Sequence, residues 1–221
     1  MSKILNRLFL CFIPLFVTAC ATPQSKFDYT AFRHSQPRSI LVLPPLNNSP
    51  DVHASYSFLS TVTQPLAEAG YYVFPVALVD QTFKENGLPN PGEMHQAPLG
   101  KIREIFGTDA VLYITISQYG SSYQVVSSDV VVTANANLVD ARTGVLLWSG
   151  QASATDARSN NNNSGGLIGL LVLAVVKQVV NHSIGDSHSH DVARLASTRL
   201  LAAQRNGILY GPRSPNFGKD N

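Results

Sequence analysis

Residues 110–150 read AVLYITISQYGSSYQVVSSDVVVTANANLVDARTGVLLWSG, and the spacing of their apolar residues decides the fold. Leu112, Ile114 and Ile116 alternate with Tyr113, Thr115 and Ser117, the two-residue period of a strand buried on one face. Gly120-Ser121-Ser122 reads as a turn, after which Val130, Val132, Ala134, Ala136 and Leu138 alternate again. Asp140-Ala141-Arg142-Thr143-Gly144 then reads as a hairpin loop, with glycine where a positive φ is wanted. Leu146, Trp148 and Gly150 continue on the returning strand. The stretch predicts a three-stranded antiparallel meander.

Upstream, Ser39-Ile40-Leu41-Val42-Leu43, closed by Pro44-Pro45, has the unbroken apolar character of a strand buried on both faces. Val52, Tyr56, Leu59, Val62 and Leu66 share one helical face, with Pro65 expected to kink or restart the helix and Gly70 to end it. Tyr71–Val76 is a second strand, with Pro75 confining it to an edge or to its last residues. Val79–Asn86 suggests a short helix stopped by Gly87, and Leu88–Pro98 a loop. Leu99, Ile102, Ile105 and Phe106 fit one helical face between Pro98 and Gly107. The expected fold is therefore α/β (α+β). A β-α-β unit is extended by the meander into one mixed sheet with helices packed on it.

At the amino terminus, Lys3 and Arg7 precede the apolar run LFLCFIPLFV (8–17) and the site Val17-Thr18-Ala19-Cys20. Residues 1–19 read as a secretory signal, since ten apolar residues are too few against the roughly 20 of a spanning helix. A cysteine directly after the small residue resembles the bacterial lipobox, so Cys20 is expected to be acylated and to begin the mature chain. Several acyl chains, at about 0.8 kcal/mol per buried methylene, hold a protein stably on a bilayer. Ala21, in place of aspartate, resembles lipoproteins sent to the outer membrane, with the domain facing the periplasm. Polar residues 22–38 would then be a tether, with Phe27, Tyr29 and Phe32 as the side chains suited to pack on the domain.

Removing the signal leaves fourteen basic residues against fourteen acidic ones. That balance offers nucleic acid no electrostatic footprint. Of the two cysteines, Cys11 leaves with the signal and Cys20 is the acyl acceptor, so no disulfide is expected. The domain is expected to run over 39–206 as one unit, with an internal Ser/Asn/Gly linker at 159–166. The linker opens onto the most apolar stretch of the mature chain, Leu167-Ile168-Gly169-Leu170-Leu171-Val172-Leu173-Ala174-Val175-Val176. As a helix this stretch spans about 15 Å, half a hydrocarbon core, and is apolar all round. It must be buried in the domain, in a second copy, or in a partner or membrane. Leu167, Ile168, Leu170, Leu171, Val172, Leu173, Val175 and Val176 are thus the expected interaction segment. Val192, Leu195, Ala196, Arg199 and Leu200 make a last helix, and residues 207–221 an irregular tail.

His188 and His190, among Asp186, Ser187, Ser189 and Asp191, are the one cluster with metal-ligand character. The same oxygen side chains suit the cap of the last helix instead. There is no nucleophile elbow, no H-E-x-x-H, no P-loop and no G-x-G-x-x-G opening a helix, so neither an enzyme nor a cofactor is expected.

The runs PLAEAGYYVFPVALVDQTFKENGL (65–88), 117–150 and LYGPRSP (209–215) resemble a bacterial lipoprotein family typified by a neisserial vaccine-candidate lipoprotein. That resemblance implies an α/β domain like the amino-terminal domain of TolB, homodimer formation, and service in an envelope transport or assembly complex. More loosely, Asp140–Gly150 resembles curli-secretion and penicillin-binding-protein-activator lipoproteins. The expected role is an outer-membrane-anchored, protein-binding accessory of such a complex. Its alternative is a subunit of an oligomeric secretion channel of the curli type. The expected partners are membrane lipid, a second copy and other envelope proteins.

Overall fold

The computed structural model describes residues 27–123, 128–156, 188–203 and 207–219. In chain order the elements are α1 (Thr30–Ser35), β1 (Ser39–Val42), β2 (Leu46–Asn47), α2 (Ala54–Leu59), α3 (Thr63–Glu68), β3 (Tyr72–Val73), α4 (Val76–Glu85), α5 (Pro91–Met94), α6 (Leu99–Phe106), β4 (Ala110–Tyr123), β5 (Ser128–Asp140) and β6 (Leu146–Thr155). A last helix, α7, covers 188–201.

The strands form one open mixed sheet in the order β3-β1-β4-β5-β6, with β2 also on β4. β1 lies parallel to β3 and to β4, while β4, β5 and β6 are antiparallel, so the β-α-β unit and the meander both form. β3 sits at the sheet edge and ends at Val73, two residues before Pro75, which precedes α4. Pro44-Pro45 interrupts the ladder because proline has no N–H. Leu43 N donates to Leu112 O (3.2 Å) before the break and Asn48 N to Ile116 O (2.9 Å) after it.

One sheet face is covered by α2, α3 and α7, where Phe58, Leu66, Ala193 and Leu200 meet Leu112 and Trp148 in the main core. Among the described residues the other is covered only at its β1 side, where α4–α6 bring Val79, Phe83, Met94 and Ile102 onto Leu41 and Val111. β1 is buried on both sides, as its unbroken apolar run requires.

Three expectations need correction. Gly120-Ser121-Ser122 does not turn the chain: β4 runs through it to Tyr123, with Gly120 opposite Val131. A bulge at Ser117 and the positive φ of Gly120 (96°) bend the strand without reversing it. Leu88–Pro98 is not all loop. Asn90 caps α5 by accepting from Glu93 N at 3.0 Å, with Pro91 in the first turn. Residues 27–38 are not tether. Asp28 Oδ1 accepts from Thr30 N (2.9 Å) at the start of α1, and Phe32 is in the core. The tail is irregular, as expected, yet part of the body. Gly211 N donates to Ala69 O (2.8 Å) and Arg213 N to Gly70 O (3.1 Å).

Candidate interaction surfaces

Open α/β sheets usually take small ligands at the carboxyl ends of their parallel strands, where the connections diverge. Here β1 leads to β3 on one side, and the next crossover passes back to β4 on the other. The crevice between β1 and β4 is filled by the chain itself, since β2 pairs with β4 there (Leu46 opposite Thr115). His95 seals the same region, its Nε2–H donating to Pro44 O at 2.9 Å and its ring edge-on to Tyr113. Burial holds the His95 pKa below its ordinary value, against the pull of that bond, so the imidazole is a neutral plug. The usual small-molecule position is thus occupied by protein.

Polar chemistry concentrates instead at the hairpin between β5 and β6. Asp140 is buried, and burial raises its pKa, but more is gained from its partners. The Ser35 hydroxyl donates to Oδ2 at 2.5 Å, Thr143 N and Arg142 N donate to Oδ1 at 3.0 and 2.8 Å, and the Arg142 guanidinium lies at 3.5 Å. Together they bring the carboxyl down to about 2. This hub ties α1 to the hairpin. Beside it a cavity of about 850 Å³ is floored by Ala31, Val145 and Leu147 and rimmed by His34, Arg142 and Thr143.

The meander presents two further surfaces. On the face that α4–α6 leave open, Thr115–Asn135–Gln151 and Gln118–Thr133–Ser153 stand in rows across the three strands. Thr133 Oγ1 and Ser153 Oγ are 2.9 Å apart. The second surface is the outer edge of β6. Asp156 N donates inward to Val130 O (3.2 Å), so by alternation the peptide groups of Ser149, Gln151 and Ser153 face outward. Arg199 Nη1 on α7 takes Ser153 O at 2.9 Å, and no described strand pairs with this edge. β6 reads LLWSGQASAT, ten residues without a charge or a proline. Edge strands usually carry such residues because they keep other strands away.

The residues expected to act from sequence are distributed as follows. Cys20 lies outside the described residues, as do Leu167, Ile168, Leu170, Leu171, Val172, Leu173, Val175 and Val176. His188 and His190 are two apart on α7 and engage different partners. His188 Nε2 meets Asp156 Oδ2 at 2.7 Å, and His190 Nε2 meets Ser60 Oγ at 3.1 Å. Positions i and i+2 of a helix point to opposite sides, so the pair does not converge. No group of three metal-ligating side chains occurs among the described residues. Ser189 and Asp191 lie inside α7 and not at a cap.

The profile of a family described as "Putative lipoprotein GNA1162-like" matches residues 27–213, from the start of α1 into the tail. The chain belongs to the GNA1162-like lipoprotein family. It is 51% identical over 201 residues to "Putative lipoprotein NMB1124/NMB1162" of Neisseria meningitidis serogroup B, covering 90% of this chain and 92% of that one. It is also similar to the crystal structure of lipoprotein GNA1162 from Neisseria meningitidis. That match has 54% identity and a TM-score of 0.52, over 66% of this chain and 99% of the other. A PelC dodecamer from Paraburkholderia phytofirmans is a remoter likeness, at 15% identity and a TM-score of 0.42, over 76% of this chain and 91% of that one.

Two of the runs quoted for the resemblance gain a physical reason. In Trp148-Ser149-Gly150 the indole lies over the glycine two positions on, where a Cβ on Gly150 would fall inside the ring. In LYGPRSP, Gly211 crosses Gly70 so closely that a Cβ on it would lie 2.6 Å from Gly70 O. Both act within the fold. The β6 edge and the Asp140 hub were not singled out in the sequence. The signal available was the lack of any charge from Leu146 to Thr155 and the lone acid opening the hairpin loop.

Proposed function

We propose that this GNA1162-like lipoprotein is held by acylated Cys20 on the periplasmic side of the outer membrane. There it works as a homodimeric, protein-binding accessory of an envelope assembly or transport complex. The observation that carries this reading is the β6 edge, whose outward peptide groups and neutral side chains suit the addition of another strand. An antiparallel β6–β6 pairing about Ser149 and Gln151 would serve the dimer, since the strand itself carries no charge to oppose its own copy and Arg199 engages the edge only at Ser153 O. Leu167–Val176 is the contact offered to a partner. The chain has no catalytic part in this reading, and the crevice that would hold a substrate is filled by β2.

Crosslinking in intact cells, with identification of the captured envelope proteins, tests the accessory role. Leu170→Asp with Leu173→Asp should abolish that capture. Light scattering on the purified protein tests the dimer, and Gln151→Pro should give a folded monomer. A monomeric wild type, or a dimer unchanged by Gln151→Pro, would refute the β6 assignment. The channel reading needs strands with an apolar face toward lipid. In the described meander that face is covered by α2, α3 and α7.

A further inference from the structure

Charge is unevenly spread over the described residues. Segments 27–38 and 207–219 carry Arg33, Arg38, Arg213 and Lys219 against one acid, Asp28, whereas the remaining described residues carry six cations against eleven acids. The fold brings these two ends of the chain onto one side of the molecule. Tyr29 Oη donates to Gly207 O at 2.6 Å, and Phe32, Arg33, Tyr210 and Phe217 share the walls of a cavity of about 240 Å³. All four cations are exposed, and Phe217 is 44% exposed beside them. Phe27, the described residue nearest Cys20 in the sequence, also lies on this side, its ring 5.2 Å from that of Tyr29. Six residues separate that cysteine from Phe27, a reach of at most about 25 Å.

We infer that this side of the domain rests on the anionic phospholipid surface of the membrane that holds the acyl chains. Arg33, Arg38, Arg213 and Lys219 face the headgroups and Phe217 enters the interface. The inference rests on the reading of Cys20 as the lipidated residue. A cation within about one Debye length of an anionic leaflet, roughly 8 Å at physiological salt, is attracted to it. So short a tether keeps the basic side at high effective concentration near the headgroups. The remaining described residues carry an excess of acid that the same surface repels, so the charge distribution both binds and orients. Asp109, whose Oδ2 accepts from Arg38 N at 2.9 Å, is an acid of that remainder beside the cations. An aromatic ring at headgroup depth is the usual companion of such a face.

The test uses the full mature chain with Cys20→Ser, mixed with vesicles of phosphatidylcholine alone or with added phosphatidylglycerol. Sedimentation should carry the protein down with the anionic vesicles at low salt, and not with the neutral ones or at high salt. At about fivefold per cation, Arg33→Gln, Arg38→Gln and Arg213→Gln together should lower the partition about a hundredfold. Asp28→Asn should raise it severalfold. Lys84→Gln with Lys101→Gln and Arg103→Gln should leave it unchanged. Equal binding to neutral vesicles, no binding to anionic ones, or indifference to both the arginine set and Asp28→Asn would overturn the inference. Should the arginine set fail a circular-dichroism check of folding, Asp28→Asn decides. Failure of the Cys20 reading is seen separately, as a native protein whose mass lacks the acyl groups.

Discussion

Replacing Asp140 by Asn keeps the shape of the hub between α1 and the β5–β6 hairpin and removes its charge. The amide oxygen can still accept from Arg142 N and Thr143 N, which lie at 2.8 and 3.0 Å from Oδ1. The Ser35 hydroxyl, which donates to Oδ2 at 2.5 Å, would face an NH₂ group, and the Arg142 guanidinium would lose its counter-charge. The magnitude follows from linkage. A carboxyl at about 2 when folded and near 3.9 when unfolded adds about 2 kcal/mol to stability through its charge. Because the folded value is the lower one, this contribution is fully present above the unfolded value. It is lost as pH falls through the folded one.

Urea unfolding of the Cys20→Ser chain should therefore show Asp140→Asn about 2 kcal/mol less stable than the parent at neutral pH. The gap should begin to close as pH falls below about 4 and approach zero only below pH 2, where the folded carboxyl is protonated as well. Trp148, the single tryptophan, lies in the core and reports the transition by fluorescence. Asp140→Ala should cost more at neutral pH, because it also leaves two backbone N–H groups without an acceptor. A gap that stays the same from pH 7 to pH 2, or no gap at pH 7, would refute the assignment of a stabilising buried carboxylate.

Gly150→Ala should expel the Trp148 indole from its place over the strand, lowering stability by about 2–3 kcal/mol and shifting its emission to the red. Gly211→Ala should separate the tail from the end of α3, at a cost of about 2 kcal/mol or more. Limited proteolysis should then cut near residues 209–215 while the rest of the body resists. Zinc should leave the melting temperature of the purified domain unchanged, since His188 and His190 serve Asp156 and Ser60 on different sides of α7. A rise that disappears on changing both histidines to alanine would restore the metal reading.

What could be read along the chain was whatever local periodicity controls. The alternation Leu112–Ile116 and Val130–Leu138 gave the long strands, the all-apolar Ile40–Leu43 gave a strand buried on both faces, and Pro98 with Gly107 bracketed α6. The misreadings share one physical cause. Gly120-Ser121-Ser122 is a turn by composition, but thirteen cross-strand pairs keep β4 and β5 together past it, and a bulge absorbs the disturbance. Phe27, Tyr29 and Phe32 sit in a polar stretch and become part of the body through groups more than 170 residues away, as in the Tyr29–Gly207 bond. Period and turn chemistry carry no information about such pairings.

The same distinction bears on where function resides. Trp148-Ser149-Gly150 and LYGPRSP look like functional signatures because each is an unusual run of residues, yet the structure engages both internally. One seats an indole on a glycine, and the other threads the tail past α3. Neither presents a group to a ligand. Among the described residues the surfaces left for contact are a β6 edge without a charged residue in the strand, a neutral meander face that α4–α6 do not cover, and the cations at the chain ends. Here the most strongly perturbed acid, Asp140, has both carboxylate oxygens engaged by its own hairpin and α1. Its charge serves rigidity. A body with a strand edge that no described strand pairs and a basic, aromatic side would, on the reading proposed above, hold two surfaces in register, a membrane and a partner chain.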